Sequence, residues 1–322
     1  MDFWKNKNVL VTGGAGFVGS HLVEMLVERD AKVRVADNLE NATLENLSPV
    51  KDKVEAVNID LKELDSCIKA VRDMDVVMNL AAKVAGIEYN RDHPGEMFYN
   101  NIKLSVNMLE AARLGKIEKF LIVSSACVYP RYCKIPTPES EGFVHIPELT
   151  NEGYGWAKRM AEFQGMAYAK EFGMKIAIVR PYNAYGPRDH FDPGKSHVIP
   201  SLIKRIFDGD NPMVVWGDGE QSRAFLYVED FARGLMDATE KYAVADPVNI
   251  GTDEEIKIKD LVKMLVKLSG KNPKVFFDTA KPSGQPRRNC DNTKARENFG
   301  FAAMVSLTEG LNNTIEWYRK TR

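Results

Sequence analysis

The chain has 322 residues, enough for one large domain or two lobes with a sizeable hydrophobic core. Lys and Arg number 44 and Asp and Glu 45, which leaves a formal net charge of −1 at pH 7 and argues against a nucleic-acid binder that relies on a basic surface. No apolar run reaches the ~18 residues that a membrane span needs, and residues 1–8 lack the apolar stretch of a secretory leader. We therefore expect a cytoplasmic protein that binds neither a membrane nor nucleic acid.

Short apolar runs recur through the first half and predict strands. Most of them are apolar throughout rather than alternating, which is typical of strands covered on both faces of a sheet. The predicted strands are 9–11, 33–36, 54–59, 76–80, 120–123 and 176–179, and helical patterns lie between them at 18–28, 64–71, 96–112 and 154–172. This alternation implies right-handed crossovers and predicts an α/β fold with a doubly wound parallel sheet of the Rossmann type.

The second half has a different character. Residues 181–219 are rich in Pro, Gly and charge, and residues 270–288 look loop-like. Helical patterns return at 228–240 and 308–318, and a short strand is predicted at 247–250. We predict a dinucleotide-binding domain over 1–180, to which 228–250 return, and a smaller C-terminal α/β lobe over 181–227 and 251–322 that binds the substrate.

A glycine-rich loop follows the first predicted strand. Residues 13–19 read Gly-Gly-Ala-Gly-Phe-Val-Gly, and such glycines let backbone N–H groups approach a pyrophosphate at a helix N-terminus. The loop lies between a strand and a helix, which favours a dinucleotide site over a simple turn. Asp37 ends the second strand about twenty residues further on, where an acid binds the ribose 2′-OH and disfavours a 2′-phosphate. This arrangement predicts NAD rather than NADP.

Three polar residues predict hydride-transfer chemistry. Tyr154 and Lys158 are four residues apart on a predicted helix, so their side chains share a face. Ser125 follows the fifth strand, at the edge where such sheets bind ligands. Tyr is a poor base at neutral pH, but a Lys cation lowers its pKa, and Ser125 can hydrogen-bond to the same phenolic oxygen.

These motifs, in this order, resemble the extended short-chain dehydrogenases that act on nucleotide sugars. The resemblance covers nearly the whole chain and includes residues 60–61, 79–82, 101, 180–187 and 249–251. It implies that Tyr154 is the general base for hydride transfer and that Lys158 also binds the nicotinamide ribose. The cofactor residues that it implies are Gly13, Gly16, Phe17, Val18, Gly19, Asp37, Asn38, Asp60, Leu61, Leu80, Ala81, Ala82, Asn101, Tyr154, Lys158 and Pro181.

The residues after Ser125 discriminate between sugar reactions. The 4,6-dehydratases of this family have an acidic pair there, whereas this chain has Ala126 and Cys127, so a dehydratase is disfavoured. The 4-epimerases usually have Thr or a similar residue in place of Cys127 and Gly in place of Pro130. Residues 124–130, Ser-Ser-Ala-Cys-Val-Tyr-Pro, instead resemble GDP-mannose 3,5-epimerases and GDP-L-fucose synthases, which use this Cys as an acid/base.

The second acid/base of those enzymes maps to His197, which is the synthase form, and Lys195 is a weaker candidate. Oxidation of C4 to a ketone acidifies the hydrogens at C3 and C5, so a thiolate can remove one proton and a cationic acid can return it from the other face. A buried, inert Cys127 is the alternative interpretation. The substrate residues that the resemblance implies are Lys83, Ser125, Asn183, His197, Val198, Arg205, Trp216, Arg223 and Arg288.

The predicted cofactor decides between the two enzymes. The synthase reduces C4 with external NADPH and typically lacks an acid such as Asp37, whereas an enzyme that oxidises and re-reduces C4 can keep NAD bound. Residues 247–254 and 288–292 look more like the 3,5-epimerase, and residues 281–287 look more like the synthase. We therefore predict an NAD-dependent GDP-hexose 3,5-epimerase. The alternatives are an epimerase-reductase of a GDP-4-keto-6-deoxy sugar, a 4-epimerase, and a non-catalytic sensor of the same fold.

Two further expectations concern assembly and metals. Family members often dimerise by packing two helices of each subunit into a four-helix bundle, which implies a homodimer through helices 96–113 and 154–172. The four cysteines and five histidines show no metal-type spacing. We therefore expect reduced thiols and no metal site.

Overall fold

The computed structural model describes residues 2–192, 196–281 and 285–322. Its first half alternates strands and helices. The strands are β1 (Asn8–Thr12), β2 (Lys32–Asp37), β3 (Val54–Asn58), β4 (Val76–Asn79), β5 (Lys119–Val123) and β6 (Lys175–Pro181). The helices are α1 (Phe17–Glu28), α2 (Leu64–Val71), α3 (Ile87–Asp92), α4 (Pro94–Leu114) and α5 (Glu152–Phe172).

The second half consists of shorter elements. Its strands are β7 (Ala184–Tyr185), β8 (Met213–Trp216), β9 (Ser222–Ala224), β10 (Leu226–Tyr227), β11 (Val248–Ile250), β12 (Glu255–Lys257), β13 (Val275–Asp278) and β14 (Arg287–Arg288). Its helices are α6 (Val198–Asp208), α7 (Val228–Lys241), α8 (Ile258–Ser269), α9 (Thr293–Phe299) and α10 (Leu307–Thr321). No helix in the described ranges is both long and apolar enough to cross a bilayer.

A seven-stranded parallel sheet forms the centre of the molecule and confirms the predicted α/β fold. Its strand order is β11-β6-β5-β4-β1-β2-β3. The register sets Val11 of β1 opposite Val35 of β2 and Met78 of β4, and all three side chains are buried. The chain moves from β1 outward to β3 and then returns to β4 on the other side of β1. Loops after β1 and β4 therefore diverge at the carboxyl edge and open a crevice for a ligand.

The remaining short strands form smaller sheets. β8 pairs with β13, and β9 lies between β12 and β14. Apolar side chains of α6, α8 and α10 pack with these strands in a second core, whereas β11 pairs with β6 in the central sheet. The division of the chain into two lobes at the predicted boundaries stays a prediction.

The segment 181–219 contains more structure than its composition indicated. The helix α6 lies there, and its buried Ile199, Leu202, Ile203 and Ile206 recur at helical spacing. Charged residues interrupt this short apolar pattern, so the sequence did not predict the helix. Likewise, β13 and β14 lie within the segment 270–288, where the sequence suggested a loop.

Candidate active site

The glycine loop connects β1 to α1 at the carboxyl edge of the sheet. Gly13 has a left-handed backbone with φ of 66°, and a Cβ at Gly19 would lie 2.1 Å from the Gly13 carbonyl oxygen. The helix α1 begins after Gly16 with no side-chain cap and no acidic residue in its first turn, which includes Phe17 and Val18. Its first backbone N–H groups can therefore take phosphate oxygens, and the loop fits a dinucleotide.

Asp37 fixes the glycine loop against the end of β2. Its Oδ2 accepts the Ala15 N–H at 3.1 Å, and its Oδ1 accepts the Leu39 N–H at 2.9 Å. The next residue, Asn38, is exposed and contacts Glu40. A carboxylate held beside the loop suits a ribose hydroxyl and would repel a phosphate in the same place.

The segment after β4 forms the other wall of the crevice. The Ala81 N–H donates to Thr12 Oγ1 at 3.0 Å. Buried Asn101 accepts the Lys83 N–H and donates to the Lys83 carbonyl, both at 3.0 Å, so it supports the backbone that contains Leu80 and Ala82. The Lys83 ammonium forms an ion pair with Glu96.

Three other predicted cofactor residues lie at strand ends. Asp60 follows β3, is exposed and forms an ion pair with Lys62 at 3.0 Å. Leu61 is buried, and Pro181 is the last residue of β6.

Tyr154 and Lys158 lie in the first two turns of α5. The Lys158 ammonium donates to the Val123 carbonyl at 2.8 Å and lies 5.4 Å from the centre of the Tyr154 ring. Ser125 Oγ accepts the Cys127 N–H at 3.1 Å and caps the 3-10 turn Ala126–Val128. The helix, β5 and this turn therefore bring Ser125, Cys127, Tyr154 and Lys158 together.

Burial controls the electrostatics of this cluster. Burial raises the pKa of Tyr154 above its ordinary value, and the charge of Cys127 adds to the rise. Burial lowers the pKa of Lys158 to about 8, although the charges of Cys127 and Glu162 oppose the shift. The sequence led us to expect a lowered Tyr154 pKa. The structure differs because desolvation of the phenolate outweighs the attraction of a lysine that is itself buried.

Arg288 approaches Cys127 from β14. Burial opposes its charge, yet the charges of Cys127 and Tyr182 and a hydrogen bond with Cys127 raise the pKa of Arg288. Its guanidinium carbon lies 5.9 Å from the Tyr182 ring centre. The assignment of Arg288 to phosphate stays a prediction, and the structure places this cation beside the Cys127 thiol.

A second arginine faces the same region. Arg223 of β9 lies opposite Arg288 in the strand register. Burial lowers the pKa of Arg223 to about 10, and the neighbouring Arg288 cation adds to the decrease. Two close, partly buried guanidinium groups make a site that favours an anion such as a diphosphate.

The other predicted substrate residues lie between positions 183 and 216. Trp216 is 59% exposed at the end of β8, and Val198 is 44% exposed at the start of α6. Asn183 donates to the Ala224 carbonyl at 2.9 Å. Arg205 forms an ion pair with Asp210 at 2.8 Å and donates to the Val214 carbonyl, so its guanidinium is used within the lobe.

The described contacts of His197 include no residue of the Cys127 cluster. It precedes α6, and its Nδ1 lies 3.3 Å from Asp189 Oδ1. This hydrogen bond raises the pKa of His197, and partial desolvation opposes the rise. Among the described residues its hydrogen-bond partner is Asp189 rather than Cys127, so its role in the reaction stays a prediction. The weaker candidate, Lys195, lies outside the described residues, as do residues 282–284 of the synthase-like motif.

A buried ion pair that the sequence did not reveal lies beneath the site. Arg180 donates to both carboxylate oxygens of Glu162, at 2.9 and 2.7 Å, and Ser124 also donates to Glu162. Arg180 donates further to the Tyr129 hydroxyl at 3.1 Å. Glu162 follows Lys158 by one helical turn on a face that contacts β5, and an acid on a buried helix face could have signalled this network.

Glycines beside Tyr154 were also missed. A Cβ at Gly155 would lie 2.7 Å from the Cys127 carbonyl oxygen and 2.6 Å from Pro147. A Cβ at Gly153 would lie 2.0 Å from the Pro94 carbonyl oxygen. Gly155 therefore allows the start of α5 to approach the Cys127 turn, and Gly153 allows it to approach Pro94 of α4.

Comparison with known proteins agrees with this geometry. A family model described as the NAD dependent epimerase/dehydratase family matches residues 9–251. The chain belongs to this family. It is 31% identical to GDP-L-fucose synthase 1 of Arabidopsis thaliana, over 98% of this chain and 94% of the relative. It is 29% identical to GDP-mannose 3,5-epimerase 1 of Oryza sativa subsp. indica, over 99% of this chain and 84% of the relative.

A solved structure from the same family shows the same fold. The UDP-glucose 4-epimerase of Thermotoga maritima, crystallised with UDP-glucose, matches with a TM-score of 0.88 and 32% identity. The match covers 98% of this chain and 99% of that one. The relatives thus include different nucleotide-sugar reactions at similar identity, and the chain is an enzyme of the NAD dependent epimerase/dehydratase family.

Proposed function

We propose that this chain is a GDP-hexose 3,5-epimerase, with GDP-mannose as its substrate, that keeps NAD bound through a transient C4 ketone. The observation that carries the proposal is the cluster of Cys127 with Tyr154, Lys158 and Arg288. A thiol beside the hydride-transfer residues is the group needed to exchange a proton next to a C4 carbonyl. The matches to GDP-mannose 3,5-epimerase and GDP-L-fucose synthase support the GDP-sugar class.

Tyr154 takes the proton of the C4 hydroxyl as that carbon is oxidised. Lys158 supplies positive charge next to the phenol, and Ser125 orients the sugar oxygen. The glycine loop would hold NAD, which would supply the hydride acceptor and donor for C4. Burial raises the pKa of Tyr154, so its basicity depends on positive charge brought close to it in the complete site.

Cys127 acts on the carbon next to the ketone. The Arg288 guanidinium lies beside the thiol, and the thiolate is the form that removes a proton. His197 is proposed to return a proton from the opposite face, because Asp189 favours its cationic form. Arg223 and Arg288 are proposed to hold the diphosphate, and Trp216 offers an exposed ring near the nucleotide.

NAD is proposed over NADP because of Asp37. Its carboxylate is fixed by the Ala15 N–H at 3.1 Å, next to the phosphate loop. A 2′-phosphate placed there would meet a negative charge at short range. A redox-neutral epimerase needs no exchange of cofactor, which fits a tightly held NAD.

A second candidate is an epimerase-reductase of a GDP-4-keto-6-deoxy sugar. His197 favours it, because the synthases have His where the 3,5-epimerases have Lys. The identity to the Arabidopsis synthase is also slightly higher, 31% against 29%. This reaction needs external NADPH, so Asp37 argues against it.

We also propose a homodimer formed through α4 and α5. The two helices pack on each other, and Gln164 of α5 donates to the Val106 carbonyl of α4. Phe163 and Tyr99 on these helices are 60% and 57% exposed. Large exposed apolar side chains on two adjacent helices are typical of a surface that a second subunit covers.

The experiment compares two substrates with one enzyme preparation. Purified protein is incubated with GDP-mannose without added cofactor, and separately with a GDP-4-keto-6-deoxy sugar and NADPH. We expect a new GDP-hexose by chromatography in the first mixture and no NADPH consumption in the second. NADPH consumption in the second mixture with no product in the first would establish the second candidate instead. Mass spectrometry of the cofactor released on denaturation should identify NAD.

A further inference from the structure

We propose that Asp189 is a positioning residue that holds the His197 imidazole with its proton on Nδ1 and leaves Nε2 free for the substrate. The contact that carries this inference joins Asp189 Oδ1 to His197 Nδ1 at 3.3 Å. The inference rests on the proposed function only for the use of Nε2. The tautomer itself follows from the contact.

The two partners differ sharply in exposure. The Asp189 side chain is 1% exposed, whereas the His197 side chain is 57% exposed. Asp189 Oδ2 is buried and has no hydrogen-bond partner in the described part of the chain. A buried carboxylate with an unused oxygen is unfavourable for folding alone. The exposed imidazole benefits from this carboxylate, because the contact uses Nδ1 and leaves the other ring nitrogen accessible.

The residue before Asp189 anchors this backbone to α1, the helix that follows the glycine loop. Arg188 has a left-handed backbone with φ of 68°, and its guanidinium forms an ion pair with Glu24 of α1 at 2.6 Å. Asp189 Oδ1 also accepts the His190 N–H at 2.7 Å. A carboxylate held in this way offers His197 an acceptor in one fixed direction. His197, at the start of α6, must turn Nδ1 toward it.

Other charged groups on these elements have their own partners. On α6, Lys204 forms an ion pair with Asp208 and Arg205 forms one with Asp210. Glu24 is paired with Arg188, and Asp192 is an exposed acid on the same loop. Asp189 is therefore the carboxylate in direct contact with the ring. An acceptor on Nδ1 keeps that nitrogen protonated in both forms of the imidazole, and its negative charge favours the cation.

The test reads the imidazole directly, in the full chain labelled with 15N-histidine. Long-range 1H–15N correlation spectra report tautomer and titration of each ring, and His197→Gln assigns the signal. We expect neutral His197 to carry its proton on Nδ1. We expect Asp189→Asn to lower the pH at which His197 titrates, and Asp192→Asn, which removes the same charge from the exposed neighbour, to leave it nearly unchanged.

Several outcomes would overturn the inference. A wild-type His197 protonated on Nε2 would do so, and this measurement needs no variant to fold. An Asp189→Asn protein that titrates as the wild type does, or an equal shift in Asp192→Asn, would also contradict it. Because no substrate is added, failure of the proposed epimerase reaction leaves this readout unchanged, so the two failures are distinguishable.

Discussion

Burial and one close neighbour govern the electrostatics of each polar side chain near Cys127. Lys158 is 5% exposed, and the proposed reaction needs its positive charge. Its ammonium has a carbonyl partner at 2.8 Å and no carboxylate at hydrogen-bond distance among the described residues. A cation with so little compensation loses its proton more easily than a surface lysine.

The pH dependence of activity should reflect the titration of Lys158. Burial lowers the pKa of Lys158 to about 8, so the cation that supports Tyr154 disappears as the pH rises through that value. We expect kcat to fall with a midpoint near pH 8, measured by product formation under saturating substrate. A kcat that stays constant from about pH 7 to 10 would contradict this role.

The same lysine should also affect stability. Its pKa is lower in the folded chain than in the unfolded chain, so the unfolded state binds more protons between about pH 8 and the ordinary lysine value. The lysine therefore makes the folded state less stable below pH 8, and this penalty is relieved as the pH rises through that interval.

At the scale of elements, the site depends on how α5 meets the turn after β5. Gly155 lets the helix contact the Cys127 carbonyl, and Lys158 and Glu162 then follow on the face toward β5 and β6. The sequence predicted this helix and the Tyr154–Lys158 pair, because both follow from helical spacing. It did not reveal Gly155 or the Glu162–Arg180 pair, because their reasons are contacts with residues far away in the chain.

The first element-scale prediction concerns Gly155→Ala. The new methyl group would meet the Cys127 carbonyl oxygen and Pro147, and such overpacking typically costs about 1–3 kcal/mol. We expect that loss in the free energy of unfolding by urea, together with lower epimerase activity. Gly95→Ala is the matched control, because its Cβ would have no atom within 4 Å. Equal behaviour of the two variants would contradict the proposed close approach.

The second element-scale prediction concerns the buried ion pair between Glu162 and Arg180. Glu162→Gln leaves the Arg180 guanidinium, which is 1% exposed, without its carboxylate. Breaking such a pair by removing one partner typically costs about 3–5 kcal/mol, measured by urea unfolding. The surface pair Lys204–Asp208 is the control, and Asp208→Asn should cost at most about 1 kcal/mol. Similar costs for the two variants would show that the buried pair contributes little.

At the scale of the whole molecule, the architecture was predictable and the second lobe was not. Most strands of the central sheet contain continuous apolar runs, such as Val9–Val11, and the parallel sheet follows from their alternation with helices. In contrast, α6 is short and its apolar positions are interrupted by charged residues. Asp189 gave no signal either, because its importance depends on where His197 lies in space.

Dimerisation is the prediction at this scale. Phe163 is 60% exposed on α5, and the next residue, Gln164, donates to the Val106 carbonyl of α4. We expect light scattering to give twice the chain mass for the wild type and the single-chain mass for Phe163→Glu, because a buried charge opposes association. Phe276→Glu, which changes a 55% exposed phenylalanine on β13, should remain a dimer. A monomeric wild type at micromolar concentration would refute the proposed interface.

Deuterium exchange into the sugar tests the proposed role of Cys127 most directly. Wild-type protein and Cys127→Ala are each incubated with GDP-mannose in D2O without added cofactor, and the C3 and C5 protons are followed by NMR. The account predicts deuterium at C3, C5 or both with the wild type and a loss of at least ~100-fold in that rate with Cys127→Ala. No deuterium with the wild type, or an undiminished rate with Cys127→Ala, would contradict the account.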